Sequence, residues 1–274
     1  MPTRRERNTG GRARAIIGRA DCVPSPVSSS RLVAAVLLGL AVCCGPCAWA
    51  RPCSADSAEQ TTALVELYTA APCAGCEQAS TWLSSLARRP ALGGVIPVSL
   101  PADDRASLGA EDGEARQRLS KRQQRLSLLQ RMALVHSPQV LVQGQEFPYW
   151  RRPAVFDAEV QRIHSQRARA RIAMQIHAVE AGRVAVAVQA RLLDAGRHGD
   201  AALYFAPFDI RQGERAVLEW LGPVVANQDG RISMSRVLRL RSGAVHPAAG
   251  VVAFVQDRGT REVLQALLLP ACSP

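Results

Sequence analysis

Lysine is nearly missing from this 274-residue chain: Lys121 is the only one, so the basic charge is almost all arginine. Aromatic residues make up only 4%. No basic run is interleaved with them, so the stacking-and-phosphate pattern of nucleic-acid binding is absent and no nucleic-acid partner is expected. Long apolar runs are also missing. The run at residues 32–42 is too short for a comfortable membrane span. Residues 170–272 show no metal-ligand spacing, nucleophile elbow or phosphate loop. His177, His198 and His246 stand alone there and read as surface or structural residues. No cofactor is expected.

What is present is unevenly placed. Net charge is +11. Residues 1–50 hold seven arginines against Glu6 and Asp21, a balance of +5, which leaves +6 for the remainder. A basic start runs to Arg31, the apolar run follows, and Ala48-Trp49-Ala50 offers a small-x-small cleavage site. Residues 1–50 therefore read as a targeting segment. Export to the periplasm or outside the cell is expected, with cleavage before Arg51 and no stable membrane span afterwards. The basic region is long for a signal peptide, which leaves a start downstream of Met1 open. Valine before Cys43 weakens a lipid-anchored form.

Of eight cysteines, Cys53, Cys73, Cys76 and Cys272 would remain after cleavage. An even number in an oxidising compartment points to disulfides. Proximity favours Cys73 with Cys76, which leaves Cys53 with Cys272; unpaired terminal cysteines are the alternative.

A linker over residues 51–60 precedes a first domain over 61–168. Residues 61–69 form an apolar run with β-branched and aromatic members, which predicts a buried strand. Ala71-Pro72-Cys73 turns it, and a helix follows from Cys76, closed by Pro90, with Trp82, Leu83 and Leu86 on one face. A second strand is expected over 94–100, moved towards an edge or a bulge by Pro97. Residues 114–135 form a helix with a basic face that includes Arg118, Lys121, Arg122 and Arg125. That face is a solvated surface or a place for an anion or partner. Pro138 opens a strand that ends at Gln143-Gly144, and a last helix covers 156–169.

This order resembles a thioredoxin-like α/β fold. A cysteine at a helix start sits beside free N–H groups and the positive end of the macrodipole, which stabilise a thiolate. Cys73 is thus expected to be exposed and attacking, and Cys76 buried and resolving. The resemblance implies that Pro138 is a cis-proline facing the cysteines and that the backbone of Ser137 pairs with an extended substrate. It also offers Glu66 as a buried proton carrier for the resolving sulfur, against a reading in which Glu66 points to solvent. His136 is a second proton carrier or a loop residue.

Two stretches carry a closer resemblance. Val65-Glu66-Leu67-Tyr68-Thr69 running into Cys-x-x-Cys, and Ser137-Pro138-Gln139-Val140-Leu141-Val142-Gln143-Gly144, are similar to an exported bacterial family with a thioredoxin-like first domain. It is known as domain of unknown function twelve-twenty-three. The resemblance spans about residues 61–272. The family's segment rich in histidine and tryptophan is replaced here by residues 101–109, which hold no aromatic. The chain is a divergent member by this reading.

From residue 170 the apolar period becomes two. Ile172, Met174 and Ile176, then Val184, Val186 and Val188, alternate with other residues, and further strands follow at short spacing. A second, all-β, sandwich-like domain over 170–272 is expected. The chain as a whole reads as a thiol–disulfide oxidoreductase acting on protein or small thiol and disulfide substrates. The alternatives are a soft-metal carrier for an ion such as copper(I), through Cys73 and Cys76 with His136, and a binding module with a static disulfide.

Overall fold

Strand outweighs helix among the described residues of this chain. The computed structural model describes residues 53–70, 73–89, 93–101, 113–129, 136–180, 182–239 and 249–271, with thirteen strands and three helices among them. The expected targeting segment, residues 102–112 and Cys272 lie outside the described residues.

The first part runs β1 (Cys53–Asp56), β2 (Leu64–Thr69), α1 (Cys76–Leu86), β3 (Ile96–Pro101), α2 (Gly113–Leu129), β4 (Gln139–Val142), β5 (Gln145–Glu146) and α3 (Pro153–His164). β3 pairs in parallel with β2, β4 is antiparallel to β2, and β5 is antiparallel to β4. β4 and β5 meet at Gln143-Gly144, both at positive φ (51° and 75°), which is the backbone of a type I′ hairpin turn. A Cβ on Gly144 would lie 2.3 Å from the carbonyl oxygen of Arg261, so only glycine fits there.

The second part runs β6 (Ala170–Glu180), β7 (Arg183–Leu192), β8 (Ala201–Arg211), β9 (Glu214–Ala216), β10 (Leu221–Val225), β11 (Arg231–Arg239), β12 (Ala249–Asp257) and β13 (Val263–Pro270). Two sheets result. One is β1-β6-β7-β11. The other is nine-stranded, in the order β13-β12-β8-β9-β3-β2-β4-β5, with β10 on β8.

The sequence divides the chain near residue 169, but the long sheet crosses that point. β9 joins β3 in parallel through Ser99 and Ala216, and both parts fall within one compact unit, Trp49–Pro274. β3 is therefore interior to the sheet rather than an edge. Its pairing with β9 is confined to Ser99, so Pro97 has β2 alone as a strand partner among the described residues.

Alternation along the strands sorts the core into three clusters. Val65 and Leu67 of β2 pack with Leu83 and Leu86 of α1 and with Phe156, Val160 and Ile163 of α3. Leu64 and Tyr68 face the other way, towards Leu119 and Leu126 of α2, Trp220 and Phe254. Beyond β9, inward residues of β8, β12 and β13 meet Ile172, Met174, Val186 and Val188 of the four-stranded sheet. The molecule is sheet-dominated, with sheet-on-sheet packing at one end and helices on the sheet at the other.

Candidate functional site

β2 delivers the chain to Cys73, and α1 begins at Cys76. Gly75 makes the connection at φ 87°, and its carbonyl accepts the helix's first hydrogen bond from the Ala79 N–H at 3.1 Å. No side chain caps this end of α1. The sulfurs therefore sit beside unsatisfied N–H groups at the positive pole of the helix. Cys73 and Cys76 form a disulfide, with their Cα atoms 5.5 Å apart. Both are half-buried, in place of the expected exposed and buried pair. Cys76 Sγ lies 3.9 Å from the carbonyl oxygen of Ala70.

The Ser137–Pro138 peptide bond is cis. A Cβ placed on Gly75 would meet Pro138 Cδ at 4.0 Å and Arg151 Nη2 at 3.1 Å. The fold thus brings Pro138 and Arg151 to the cysteine turn. Arg151 was not legible as a site residue. It follows the aromatic loop 147–150, and only the seating of that loop carries it back; its guanidinium lies 4.7 Å from the Trp150 ring centre. It places a positive charge beside the turn that carries both sulfurs. His136 faces Glu146 through Nε2 at 2.9 Å and the Pro138 carbonyl through Nδ1 at 3.2 Å, which ties it to the proline turn.

Glu66 is fully buried, so it does not point to solvent. Nor does the structure bring it to Cys76. It lies between Val65 and Leu67 on β2 and so faces the side of the sheet away from α1. There its Oε1 accepts hydrogen bonds from Trp220 Nε1 (3.1 Å), Tyr68 Oη (3.2 Å) and Arg122 Nη2 (3.4 Å). Burial, then the Glu66 carboxylate, push the Tyr68 phenol well above its ordinary range. Burial works against the charge of Arg122, and the Glu66 carboxylate outweighs it and raises that pKa. Glu66 is an ion-pair anchor for α2.

Cys53 is disulfide-bonded. Its sulfur lies 3.4 Å from the carbonyl oxygen of Pro270, two residues before Cys272. Among the described residues, no group of three or more His, Cys, Asp or Glu side chains is placed to hold a metal ion. No described helix is long and apolar enough to cross a membrane.

Fold and site together define a sheet-dominated protein with a disulfide at a strand-to-helix turn. The chain belongs to the family described as "Protein of unknown function (DUF1223)", whose model matches residues 64–217. No curated protein matches it. Among solved structures it is similar to HBP35 of Porphyromonas gingivalis, at 12% identity and a TM-score of 0.57, over 78% of this chain and 76% of that one. It is also similar to an Agrobacterium tumefaciens protein known from an X-ray structure, at 16% identity and a TM-score of 0.50, over 80% of this chain and 98% of the other. At such identities the likeness concerns fold alone.

Proposed function

We propose that the protein is an exported thiol–disulfide oxidoreductase built on a thioredoxin-like segment. The observation that carries this reading is the Cys73–Cys76 disulfide at the uncapped start of α1, with Pro138 and Arg151 against its turn. The order β3-β2-β4-β5, with β2 and β3 parallel and β4 reversed, fits a thioredoxin-like sheet. Export accords with the disulfide-bonded state of Cys53, Cys73 and Cys76, since such bonds persist in oxidising compartments. Cys272 is the proposed partner of Cys53.

In the reaction, a substrate thiolate attacks Sγ of Cys73. A mixed disulfide forms, the Cys73–Cys76 bond breaks, and Cys76 leaves as a thiolate. A second substrate thiolate then attacks the substrate sulfur and releases Cys73. The substrate dithiol loses two electrons to become a disulfide, and the enzyme pair gains them. The reverse sequence reduces a substrate. α1 and Arg151 stabilise the departing thiolates, and the backbone of Ser137, before the cis-proline, pairs with an extended substrate beside the pair.

A Cys76→Ser variant expressed in its native exported compartment tests this. Mixed disulfides on Cys73 that disappear in Cys73→Ser/Cys76→Ser are expected. An empty trap would favour a static disulfide on a binding module.

A further inference from the structure

Across the sheet from the cysteine pair, α2 stands over a cavity of about 270 Å³. Tyr204, Trp220, Leu119, Leu126 and Pro223 give it apolar walls. Its charged lining is of one sign: Arg118, Lys121, Arg122, Arg125, Arg258 and Arg261. Arg118 is paired with Glu219, Arg122 with Glu66 and Arg258 with Asp200. Among the described residues Lys121, Arg125 and Arg261 have no carboxylate partner.

Arg122 differs from an ordinary surface arginine. Its side chain is only 13% exposed, its guanidinium lies 5.1 Å from the Tyr204 ring centre and 5.3 Å from that of Phe254, and its buried Nε has no hydrogen-bond partner. Three of the six cations are balanced by carboxylates, which leaves Lys121, Arg125 and Arg261 as the surplus positive charge around one small cavity, and low-dielectric walls strengthen its field. A solvated basic face would hold its charges apart on flexible stems in water. Here aromatic rings fix the central one.

We propose that this cavity binds a small organic anion with a flat apolar body. A phosphate, sulfonate or carboxylate head lies against Lys121, Arg122 and Arg125, and the body rests on Tyr204 and Trp220. The volume matches a ligand of one or two rings rather than a polymer.

The test uses the whole protein and 8-anilinonaphthalene-1-sulfonate, which combines one anionic head with flat rings. One saturable site per chain is expected, displaced by inorganic phosphate and weakened by sodium chloride. The Lys121→Glu/Arg125→Glu variant changes two exposed residues and should weaken binding at least tenfold. Arg236→Glu/Arg239→Glu, the same charge change on exposed positions of β11, should leave it within twofold. Absence of saturable binding, unchanged affinity in the α2 variant, or equal loss in both variants would overturn the proposal. If the α2 variant does not fold, competition on the wild-type protein decides: no displacement by phosphate overturns the site, and displacement supports it.

Discussion

At Glu66 a single carboxylate, fully enclosed, is held by an arginine, a tryptophan and a tyrosine. Removing one member of such a pair strands the other without compensation. Glu66→Ala should therefore lower stability by about 3–5 kcal/mol, read by urea unfolding. Glu66→Gln, which keeps an acceptor for Trp220 and Tyr68, should cost less. Equal losses would mean that the charge of Arg122 is not what Glu66 balances. Asp257 behaves differently. Burial opposes its charge, but N–H groups of Thr260 and Gly259, the Thr260 hydroxyl and the His198 ring outweigh burial and hold its pKa below the ordinary value. A carboxylate depressed in the folded state adds stability above its unfolded pKa, about 4, and this is lost as pH falls through the folded value. The stability gap between wild type and Asp257→Asn should thus be full at pH 7 and shrink below about pH 4. A gap that does not change with pH would refute that assignment. The sequence showed Glu66 as an odd charge in an apolar run. Tyr68 is two residues away, but Arg122 and Trp220 stand 56 and 154 residues away, so no local pattern could name those two.

Among the elements, two glutamines do more joining than any apolar pattern reveals. Gln265 on β13 is fully buried and uses both ends: Oε1 accepts from the N–H groups of Thr62 and Ala266, and Nε2 donates to the carbonyls of Ala58 and Gln60. Gln143 in the β4–β5 turn accepts from the Leu64 N–H and donates to the Val263 carbonyl. Each clasps the chain that leads into or begins β2, the strand before the cysteine turn, to β13. Gln265→Leu keeps bulk but removes the side-chain acceptor of the buried Ala266 N–H and the part-buried Thr62 N–H, at roughly 1–3 kcal/mol for a buried group left without a partner. A thermal melt should show the loss; a melting temperature within a degree of wild type would contradict the clasp. The elements themselves were largely legible. β2, the α1 start, the proline-led β4, the Gln-Gly turn and the alternating β6 and β7 all follow from apolar period and turn chemistry. What period cannot show is which strands become neighbours, and β9 beside β3 is such a neighbour.

For the whole molecule, that shared sheet decides how the chain folds. The cluster beneath α2 draws Leu64, Tyr68 and Val98 from the first part and Phe208, Trp220 and Phe254 from the second. Residues 61–168 alone should therefore fail to fold cooperatively, judged by circular dichroism and urea titration. A sharp transition in that fragment would restore the boundary that the sequence implied. The cysteine site was legible because its chemistry is local: two sulfurs one helical turn apart after a strand. Arg151 was not, because the fold alone brings it there. The reduction potential of the Cys73–Cys76 pair tests the redox role most directly. The protein is equilibrated in dithiothreitol or glutathione buffers, alkylated and cut after glutamate, which isolates residues 67–77 with these two cysteines alone. An oxidoreductase pair should titrate between about −120 and −270 mV, and a value below about −300 mV would mark the bond as a structural staple and contradict the account.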